Sequence, residues 1–318
     1  MQVYFLILYF FTYGFLGWCT EVAFASVKEG RFVNRGFLNG PICPIYGVGV
    51  SAVIFLLEPC QDWLPVLYIA SVVLVTLIEG LTGYAMDKIF HHKWWDYSDQ
   101  PLNIGGYVCL IFSLVWGVAC VVIVKGIHPL IHKALAWIPV TAGIVGIVIL
   151  GILLFADLYV TASGILKLNR RLEAMEKIAA ELRELSDRVG ENIHEGVMDT
   201  LEFQEEGRQK LDEITEEGKQ RLEEITEEGK QRLEEITEEG KQRLEGLAEE
   251  GRQMREEQRK KAAELRKRYE ELAASRTRVS VRLVKAFPNM KSRRHNDILE
   301  ELKNALEDRV KRQINEKH

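Results

Sequence analysis

The sequence predicts an all-α protein in which a polytopic membrane bundle of about five transmembrane helices is followed by a long coiled-coil tail. Charge is divided sharply between these parts. Residues 1–166 hold 7 of the 41 Lys and Arg and 9 of the 46 Asp and Glu, so residues 167–318 hold the remaining 34 and 37. The first part also contains several apolar runs that are long enough to cross the ~30 Å hydrocarbon layer as helices. The second part contains an internal repeat of 11 residues.

The apolar runs define a transmembrane helical domain over residues 1–166. They predict helices near residues 4–27, 42–58, 64–90, 107–124 and 138–165. The 27 residues of the third run exceed the bilayer thickness at ~1.5 Å per residue, so this helix is expected to emerge into water at its Asp87–Lys88 end. The N-terminal MQVYFLILYFF has no basic region and no small-residue cleavage pattern, so we expect the first helix to be retained.

Basic residues in the short loops predict the orientation, because Lys and Arg are retained on the cytoplasmic side of a membrane. The loops after the first and third helices and the start of the tail are basic, whereas the loop between the second and third helices has no Lys or Arg. Lys125 and Lys133, assigned to the loop between the fourth and fifth helices, oppose this pattern but are outweighed. We therefore expect a multi-pass protein of the cell membrane with its N-terminus outside and its tail in the cytoplasm. The deciding basic residues are Lys28, Arg31, Arg35, Lys88, Lys93, Lys167, Arg170 and Arg171.

The tail, residues 167–286, carries two helical repeat patterns. From Leu172 onward, apolar residues recur at alternating spacings of three and four, which predicts a coiled-coil seam. Residues 211–254 repeat an 11-residue unit such as LEEITEEGKQR, and this period of ~3.67 residues per turn favours a straight or slightly right-handed supercoil. Pro288 ends the helical pattern, and a short amphipathic segment lies within residues 287–318. Because about five spans are few for a pore alone, we expect a homodimer, in which the coiled-coil seam of the tail joins two parallel chains.

Three carboxylates interrupt the apolar runs: Glu21 in the first helix, Glu79 in the third and Asp157 in the fifth. Because these helices run in the same direction, the carboxylates lie at similar depth near the expected cytoplasmic face. A charge at the bilayer centre costs about 2.5–3.5 kcal/mol on insertion scales, and such residues usually face the bundle interior or a watery cavity. Two interpretations remain open. The three carboxylates line a shared polar chamber, or each marks a helix end that is hydrated among the headgroups.

Two loops expected at the same face carry further candidates. FVNRGFLNGPICPIYG contributes Asn34 and Arg35, and KWWDYSDQPLNIGG contributes Asp96 and Asn103. The opposite charges of Arg35 and Asp96 suggest a pair that closes a binding mouth. The aromatic residues of the second loop are typical of interfacial anchors, since Trp and Tyr are enriched at membrane boundaries. These aromatic residues are Trp94, Trp95 and Tyr97.

Motifs for other functional classes are missing from the sequence. The five cysteines are an odd number, and most lie in apolar runs without metal-ligand spacing, so neither a disulfide framework nor a zinc site is expected. His91 and His92 have no nucleophile at a recognisable spacing, and no phosphate-cradling loop occurs. We therefore expect no enzyme, no catalytic residue, no metal, no cofactor and no nucleic-acid partner. The lipid bilayer is the partner that the apolar runs require.

Six segments give the chain a resemblance to a known family. They are FLGWCTE (15–21), FVNRGFLNGPICPIYG (32–47), LIEGLTGYAMDKIF (77–90), WWDYS (94–98), NIGGYVCLIFSLVWG (103–117) and RLVKAFPNMKS (282–292). The chain resembles bacterial membrane proteins of the ABC-transporter type IV, or CmpB-like, family, which are labelled ABC-transporter permeases. The resemblance implies a permease whose ATPase is a separate chain, since this sequence has no Walker motif. It brings no catalytic residues and does not require the 11-residue repeats.

Three functions remain open at the level of sequence. In the first, the bundle passes or holds an unknown solute near Glu21, Arg35, Glu79 and Asp96, and a partner ATPase supplies the energy. In the second, the bundle is a non-transporting anchor or scaffold, and its tail recruits cytoplasmic partners. The length of the tail favours this scaffold. The third is a membrane enzyme that acts on lipid, which no motif selects.

Overall fold

The computed structural model describes residues 2–220, 227–275 and 278–315. It divides into two compact units. The membrane unit comprises Met1–Glu173 together with Ser275–His318, and the tail unit comprises Ala174–Ala274. The C-terminal residues are therefore grouped with the apolar helices, although the whole tail unit separates them in sequence.

Long apolar helices form most of the membrane unit. Helix α1 spans Gln2–Glu29, α3 spans Leu64–Phe90, and α6 spans Val140–Gln220, which takes it into the tail unit. A further apolar helix covers Leu110–Ala136. Within the described ranges, these four helices are long and apolar enough to cross a membrane. Large apolar side chains are exposed on all four, as expected for surfaces that face lipid. The chain is therefore a multi-pass membrane protein.

The helix predicted at 42–58 is present but short. Helix α2 spans Pro44–Leu57, and a 3₁₀ turn follows at Glu58–Cys60. The 14 residues of α2 rise ~21 Å at ~1.5 Å per residue, which is less than the ~30 Å of a hydrocarbon core. Among the described residues, four of the five predicted spans thus have membrane length. The fifth span stays a prediction.

The fourth apolar helix extends past its predicted end. Helix α4 spans Leu110–Val122, a π-helical turn covers Ile123–Ile127, and α5 spans His128–Ala136. Because a π turn inserts extra backbone without breaking the helix, the chain stays helical through this region. Lys125 and Lys133 consequently lie on helical turns, which corrects their assignment to a loop.

Close packing of α1 against α2 depends on a glycine. A Cβ atom at Gly17 of α1 would overlap the ring of Tyr46 on α2, so the missing side chain admits that ring. Two buried apolar clusters lie further along the helices. One contains Tyr9, Tyr13 and Val50, and the other contains Val53, Leu67, Cys120 and Val124. These contacts fix the spacing of the helices that carry Glu21 and Glu79.

The C-terminal residues 278–315, which we call the C-terminal segment, contain two helices. Helix α8 spans Arg278–Ala286, so the end of the helical pattern predicted at Pro288 is confirmed. Helix α9 spans Asn296–Asn315, where the sequence predicts an amphipathic segment. Leu299 and Leu302 are buried on α9, as an amphipathic helix requires.

The described residues of the membrane unit also include four short strands. Strand β1 spans His92–Lys93 and pairs antiparallel with β4 at Lys291–Ser292, so the loop after α3 is joined to the C-terminal segment. Strands β2 and β3, at Asn103–Ile104 and Val108–Cys109, form a hairpin before α4. His91 has a left-handed backbone with φ 58°, which turns the chain out of α3 and into β1.

The tail unit is helical where it is described. It contains the remainder of α6 and helix α7, which spans Glu227–Ala274. Met175 of the predicted seam is fully buried. The repeat region 211–254 includes residues 221–226, which lie outside the described residues, as do most side chains of its apolar stripe. The predicted coiled coil therefore stays a prediction.

Candidate functional site

The C-terminal segment binds the loop between α1 and α2 through Arg282. Its Nε donates to Asn39 Oδ1 at 2.9 Å, and its two terminal nitrogens donate to the Gly36 and Phe37 carbonyl oxygens at 2.7 Å each. Burial lowers the pKa of Arg282, and the nearby Asp157 opposes this shift. One guanidinium thus satisfies three oxygen atoms of a loop that lies more than 240 positions earlier in the chain.

Asp157 holds the same loop from the side of α6. Its Oδ1 accepts from the Asn39 backbone N at 3.1 Å and from Asn39 Nδ2 at 2.7 Å, and its Oδ2 accepts from Gly40 N at 2.6 Å. Thr161 adds a 3.3 Å hydrogen bond to Oδ1. A carboxylate with this many donors is fully occupied in shaping a loop. Asp157 therefore anchors the loop rather than lining a chamber with Glu21 and Glu79.

Two further basic residues of the C-terminal segment bind carboxylates at the end of α3 and in the loop beyond it. Lys291 Nζ lies 2.8 Å from Asp96 Oδ2. Arg293 contacts Asp87 Oδ2 at 2.5 Å and also donates to Tyr107 Oη at 2.8 Å. Together with Arg282, these two residues form what we call the C-terminal clamp.

The surroundings of Asp96 favour its charged form. Burial alone would raise its pKa, but hydrogen bonds from Lys291 and Ser98, with the charge of Lys93, hold the pKa of Asp96 well below its usual range. Asp96 Oδ1 accepts from the Ser98 backbone N at 3.1 Å. Asp96 therefore pairs with Lys291 and Lys93, and the structure does not join it to Arg35.

The predicted interfacial aromatics have different surroundings. Trp94 is only 4% exposed, and its ring centroid lies 5.1 Å from that of Phe37 and 5.1 Å from that of Phe287. It thus packs inside the contact between two loops and the C-terminal segment, away from a solvent boundary. Trp95 Nε1 donates to the Tyr107 carbonyl oxygen at 2.8 Å.

The two predicted asparagines organise their own loops. Asn34 Oδ1 accepts from Trp18 Nε1 at 2.7 Å, and its Nδ2 donates to the Asn39 carbonyl oxygen at 2.9 Å. Asn103 Nδ2 donates to the carbonyl oxygens of Ser98 and Gln100 at 3.2 and 2.8 Å. Both amides use their donors and acceptors locally, so they shape the loops.

Glu21 lies in a polar group formed by α1, α2 and the intervening loop. Tyr46 Oη donates to Glu21 Oε1 at 2.6 Å, and Arg35 Nε lies 3.3 Å from Glu21 Oε2. Arg35, which the sequence suggested as a partner of Asp96, is therefore the cation of Glu21. Both oxygens of Glu21 have a partner.

Glu79 lies on the buried face of α3 and is only 8% exposed. Tyr97 Oη donates to its Oε1 at 3.3 Å, and its Oε2 is buried without a hydrogen-bond partner. Burial raises the pKa of Tyr97, and the carboxylates of Glu79 and Glu21 raise it further, so Tyr97 lies within electrostatic range of both. We call Glu21, Tyr46, Glu79 and Tyr97 the membrane cluster.

Aromatic rings surround the membrane cluster. Tyr97 stacks on Phe112 of α4 with ring centroids 5.0 Å apart, and Tyr46 meets Trp116 edge to face at 5.7 Å. Carboxylates with phenols and aromatic walls provide a polar group inside an apolar bundle, which is an arrangement suited to binding a proton or a small cationic or polar solute. Of the described residues, no group of three or more His, Cys, Asp and Glu could hold a metal ion.

The sequence missed several residues that complete these sites. Tyr46, Tyr107 and the C-terminal clamp stand at ordinary polar positions, so composition does not single them out. One available signal was the segment RLVKAFPNMKS, which carries part of the family resemblance and contains Arg282 and Lys291. Two phenol–imidazole pairs were also missed: Tyr9 with His132 at 2.5 Å and Tyr13 with His128 at 3.1 Å.

Comparison with known proteins identifies a family. The sequence model of the family described as "Putative ABC-transporter type IV" matches residues 8–162. The match confirms the resemblance that the motifs of the membrane helices carry. No curated protein and no solved structure matches the chain.

Proposed function

Since residues 8–162 match the model of the ABC-transporter type IV family, we propose that this chain is the membrane component of a transport system. Its helices bind or pass a solute, and an ATPase on a separate chain supplies the energy. The sequence has no Walker motif, so ATP hydrolysis requires a partner. The chain itself is proposed to have no enzymatic activity and to bind no nucleic acid.

The observation that carries this proposal is the membrane cluster. Ionisable residues within membrane segments are costly and usually mark the path or binding site of a solute or an ion. Glu79 is buried within such a helix and has no ion-pair partner among the described residues. A carboxylate that served structure alone would be expected to have partners as complete as those of Asp157.

The topology and assembly follow the sequence arguments. The loops after α1 and α3 carry the positive charge, so we place them and the tail in the cytoplasm and the N-terminus outside. Helix α2 is proposed as a fifth, short span, which thinning of the bilayer could accommodate. A parallel coiled coil in the tail is proposed to join two chains, since about five spans are few for a solute path.

Affinity purification and uptake measurements test the transport role together. The tagged chain, cross-linked in its native membranes, is expected to recover an ATPase with a Walker motif. Cells that carry Glu79→Ala should lose the solute accumulation that distinguishes wild-type cells from cells without the chain, as measured by mass spectrometry. Asp62→Asn is the matched control, because its carboxylate is 97% exposed. Recovery of no ATPase, together with unchanged accumulation in Glu79→Ala, would contradict the proposal.

A scaffold is the second candidate, and the division of the chain favours it. Residues Ala174–Ala274 form a separate compact unit, and the family match ends before this unit begins. In this role the membrane unit fixes the tail at the membrane, and the tail recruits partners. Deletion of residues 201–254 is expected to displace those partners from the membrane while the membrane unit still folds. Unchanged protein localisation in the deletion strain would remove the support for this role.

A further inference from the structure

Glu79 differs from Asp87, the other buried carboxylate of α3, because it contacts no cation among the described residues. Its neighbours on α3, Leu77 and Leu81, are 55% and 68% exposed, as lipid-facing residues are, whereas Glu79 is 8% exposed. The helix thus directs Glu79 toward the interior of the bundle. Its one hydrogen bond among the described residues, from Tyr97, is 3.3 Å long, which is longer than the roughly 2.5–3.0 Å typical of hydroxyl donors.

Glu21 provides an internal comparison, because it is a carboxylate of the same cluster that contacts a cation. It receives a 2.6 Å hydrogen bond from Tyr46 and has Arg35 at 3.3 Å. Hydrogen bonds to an ionised carboxylate are characteristically short, at about 2.5–2.7 Å from a hydroxyl. Glu79 therefore lacks both the short hydrogen bond and the neighbouring cation that Glu21 has.

In the part of the chain that the structure describes, the titratable groups near Glu79 do not include a cation that pairs with it. Tyr97 approaches from the loop after α3, and Cys109 and Glu21 lie within electrostatic range of that phenol. Tyr46 donates its hydroxyl hydrogen bond to Glu21, and the nearby cation, Arg35, forms its ion pair with Glu21. An ionised carboxylate that is buried without a cation or sufficient donors is so unfavourable that such a group normally takes up a proton.

We propose that Glu79 is a proton-binding site of the membrane unit and that it is a neutral carboxylic acid in this structure. The proton resides on Oε2, the oxygen that has no partner. Oε1 then acts as the carbonyl oxygen and accepts the long hydrogen bond from Tyr97. This assignment removes the unpaired charge and leaves the Oε2–H group without an acceptor among the described residues, which costs less than a buried charge.

Release of this proton requires a compensating group at Glu79. When the Oε2–H bond breaks and the proton passes to water, the carboxylate that remains must be stabilised by water or by a cation that enters the cluster. Tyr97 belongs to the loop after α3, and Lys291 contacts the neighbouring residue of this loop, Asp96. We expect the proton to leave when this loop moves, which would couple proton release to passage of a solute; the coupling rests on the proposed transport function.

Infrared difference spectroscopy of the full-length chain in lipid nanodiscs tests the assignment directly. The wild-type spectrum at neutral pH is expected to contain the carbonyl stretching band of a neutral carboxylic acid, which disappears as the pH is raised. Glu79→Gln should remove this band, whereas Asp62→Asn and Glu21→Gln should retain it. A wild-type spectrum without the band, or a Glu79→Gln spectrum that keeps it, would overturn the proposal.

A second variant keeps the test decisive if Glu79→Gln does not fold. Tyr97→Phe removes the hydrogen bond to Oε1 and should shift the band to higher frequency without removing it, while an unshifted band would show that the proton is elsewhere. These spectra are recorded without a solute, so they test proton occupancy alone. If the band behaves as expected but Glu79→Ala leaves solute accumulation unchanged, the transport function fails and the proton site stands.

Discussion

The carboxylates that the C-terminal clamp binds and those of the membrane cluster differ in how completely they are paired. Asp96 and Asp87 each contact a cation of the clamp. Asp87 leaves Oδ1 without a partner, yet its Oδ2 meets a guanidinium and a phenol. In the membrane cluster, Glu79 has one long hydrogen bond and no ion pair among the described residues.

This difference separates a structural role from a functional one. A buried carboxylate that meets a cation and several donors is held in one state, and removal of its partner destabilises the fold. A buried carboxylate with few partners can exist in two protonation states whose free energies are close enough to exchange. The clamp therefore holds the C-terminal segment against the loops, and the cluster is the part that can change state.

The largest effect is expected from Arg282→Ala, which removes the part of the clamp that meets three loop oxygens. Loss of a largely desolvated, multiply bonded cation should lower the local stability of the C-terminal segment by about 3 kcal/mol. Hydrogen exchange of α8 and α9 should then be roughly 100-fold faster, at 1.4 kcal/mol per factor of ten. Lys285→Ala is the control, because Lys285 is exposed on the same helix.

The same variant tests whether clamp and cluster are independent. If they are, the infrared band assigned to Glu79 should persist in Arg282→Ala at neutral pH. If hydrogen exchange of α8 and α9 is unchanged in Arg282→Ala, the hydrogen bonds of Arg282 do not stabilise the C-terminal segment.

A smaller effect is expected from Lys291→Ala. Lys291 is 55% exposed and its pair with Asp96 is partly hydrated, so its removal should cost only about 0.5–1 kcal/mol. Hydrogen exchange around β1 and β4 should increase by a few fold. Arg294→Ala, at an exposed position nearby, should leave the exchange of these strands unchanged. Equal effects of the two substitutions would mean that the Asp96 pair contributes no specific stability.

The smallest effect is a dependence of the β1–β4 contact on pH. His92 is fully buried beside Asn169, and burial lowers its pKa despite the opposing hydrogen bond that its Nε2 donates to Asn169 Oδ1. The unfolded chain thus binds a proton to this imidazole at higher pH than the folded chain does. The stability that neutral His92 contributes to the fold is present above the pKa of about 6.5 that His92 has in the unfolded chain, and it declines as the pH falls below that value.

Hydrogen exchange at β4 measures this dependence, after correction for the intrinsic effect of pH on exchange. Protection in the wild type should fall between about pH 7 and pH 5.5, and His92→Gln should flatten the profile. Asp96 contributes no such change in this range, because its lowered pKa keeps it charged. A profile that is identical in wild type and His92→Gln would contradict a role for His92.

The positions of the membrane helices were largely readable from the sequence. The runs predicted at 4–27 and 64–90 correspond to Gln2–Glu29 and Leu64–Phe90, because insertion in lipid depends on the apolar character of each local stretch. The end of the fourth helix was misplaced, since Lys125 interrupts the apolar run and the π turn that continues the helix has no signature in composition.

The candidate site was only partly predictable for a related reason. Glu21 and Glu79 were found because a carboxylate in an apolar run is rare and conspicuous. Their partners were not found, because Tyr46 and Tyr97 are ordinary residues until the fold brings them within hydrogen-bond distance. The suggested pairing of Arg35 with Asp96 does not occur in the structure, because Arg35 contacts Glu21 and Asp96 contacts Lys291.

The sequence by itself determined that this chain has an apolar helical bundle, two polar loops and a charged tail, because these properties depend on local composition. Only the tertiary structure decided which charges meet. The contacts of Arg282, Lys291 and Arg293 with loop residues span about 200 positions or more of the chain, and such pairing depends on geometry that no local pattern encodes. It also placed Glu79 in the bundle interior with one long hydrogen bond and no ion pair among the described residues, and the proposed proton site rests on that surrounding.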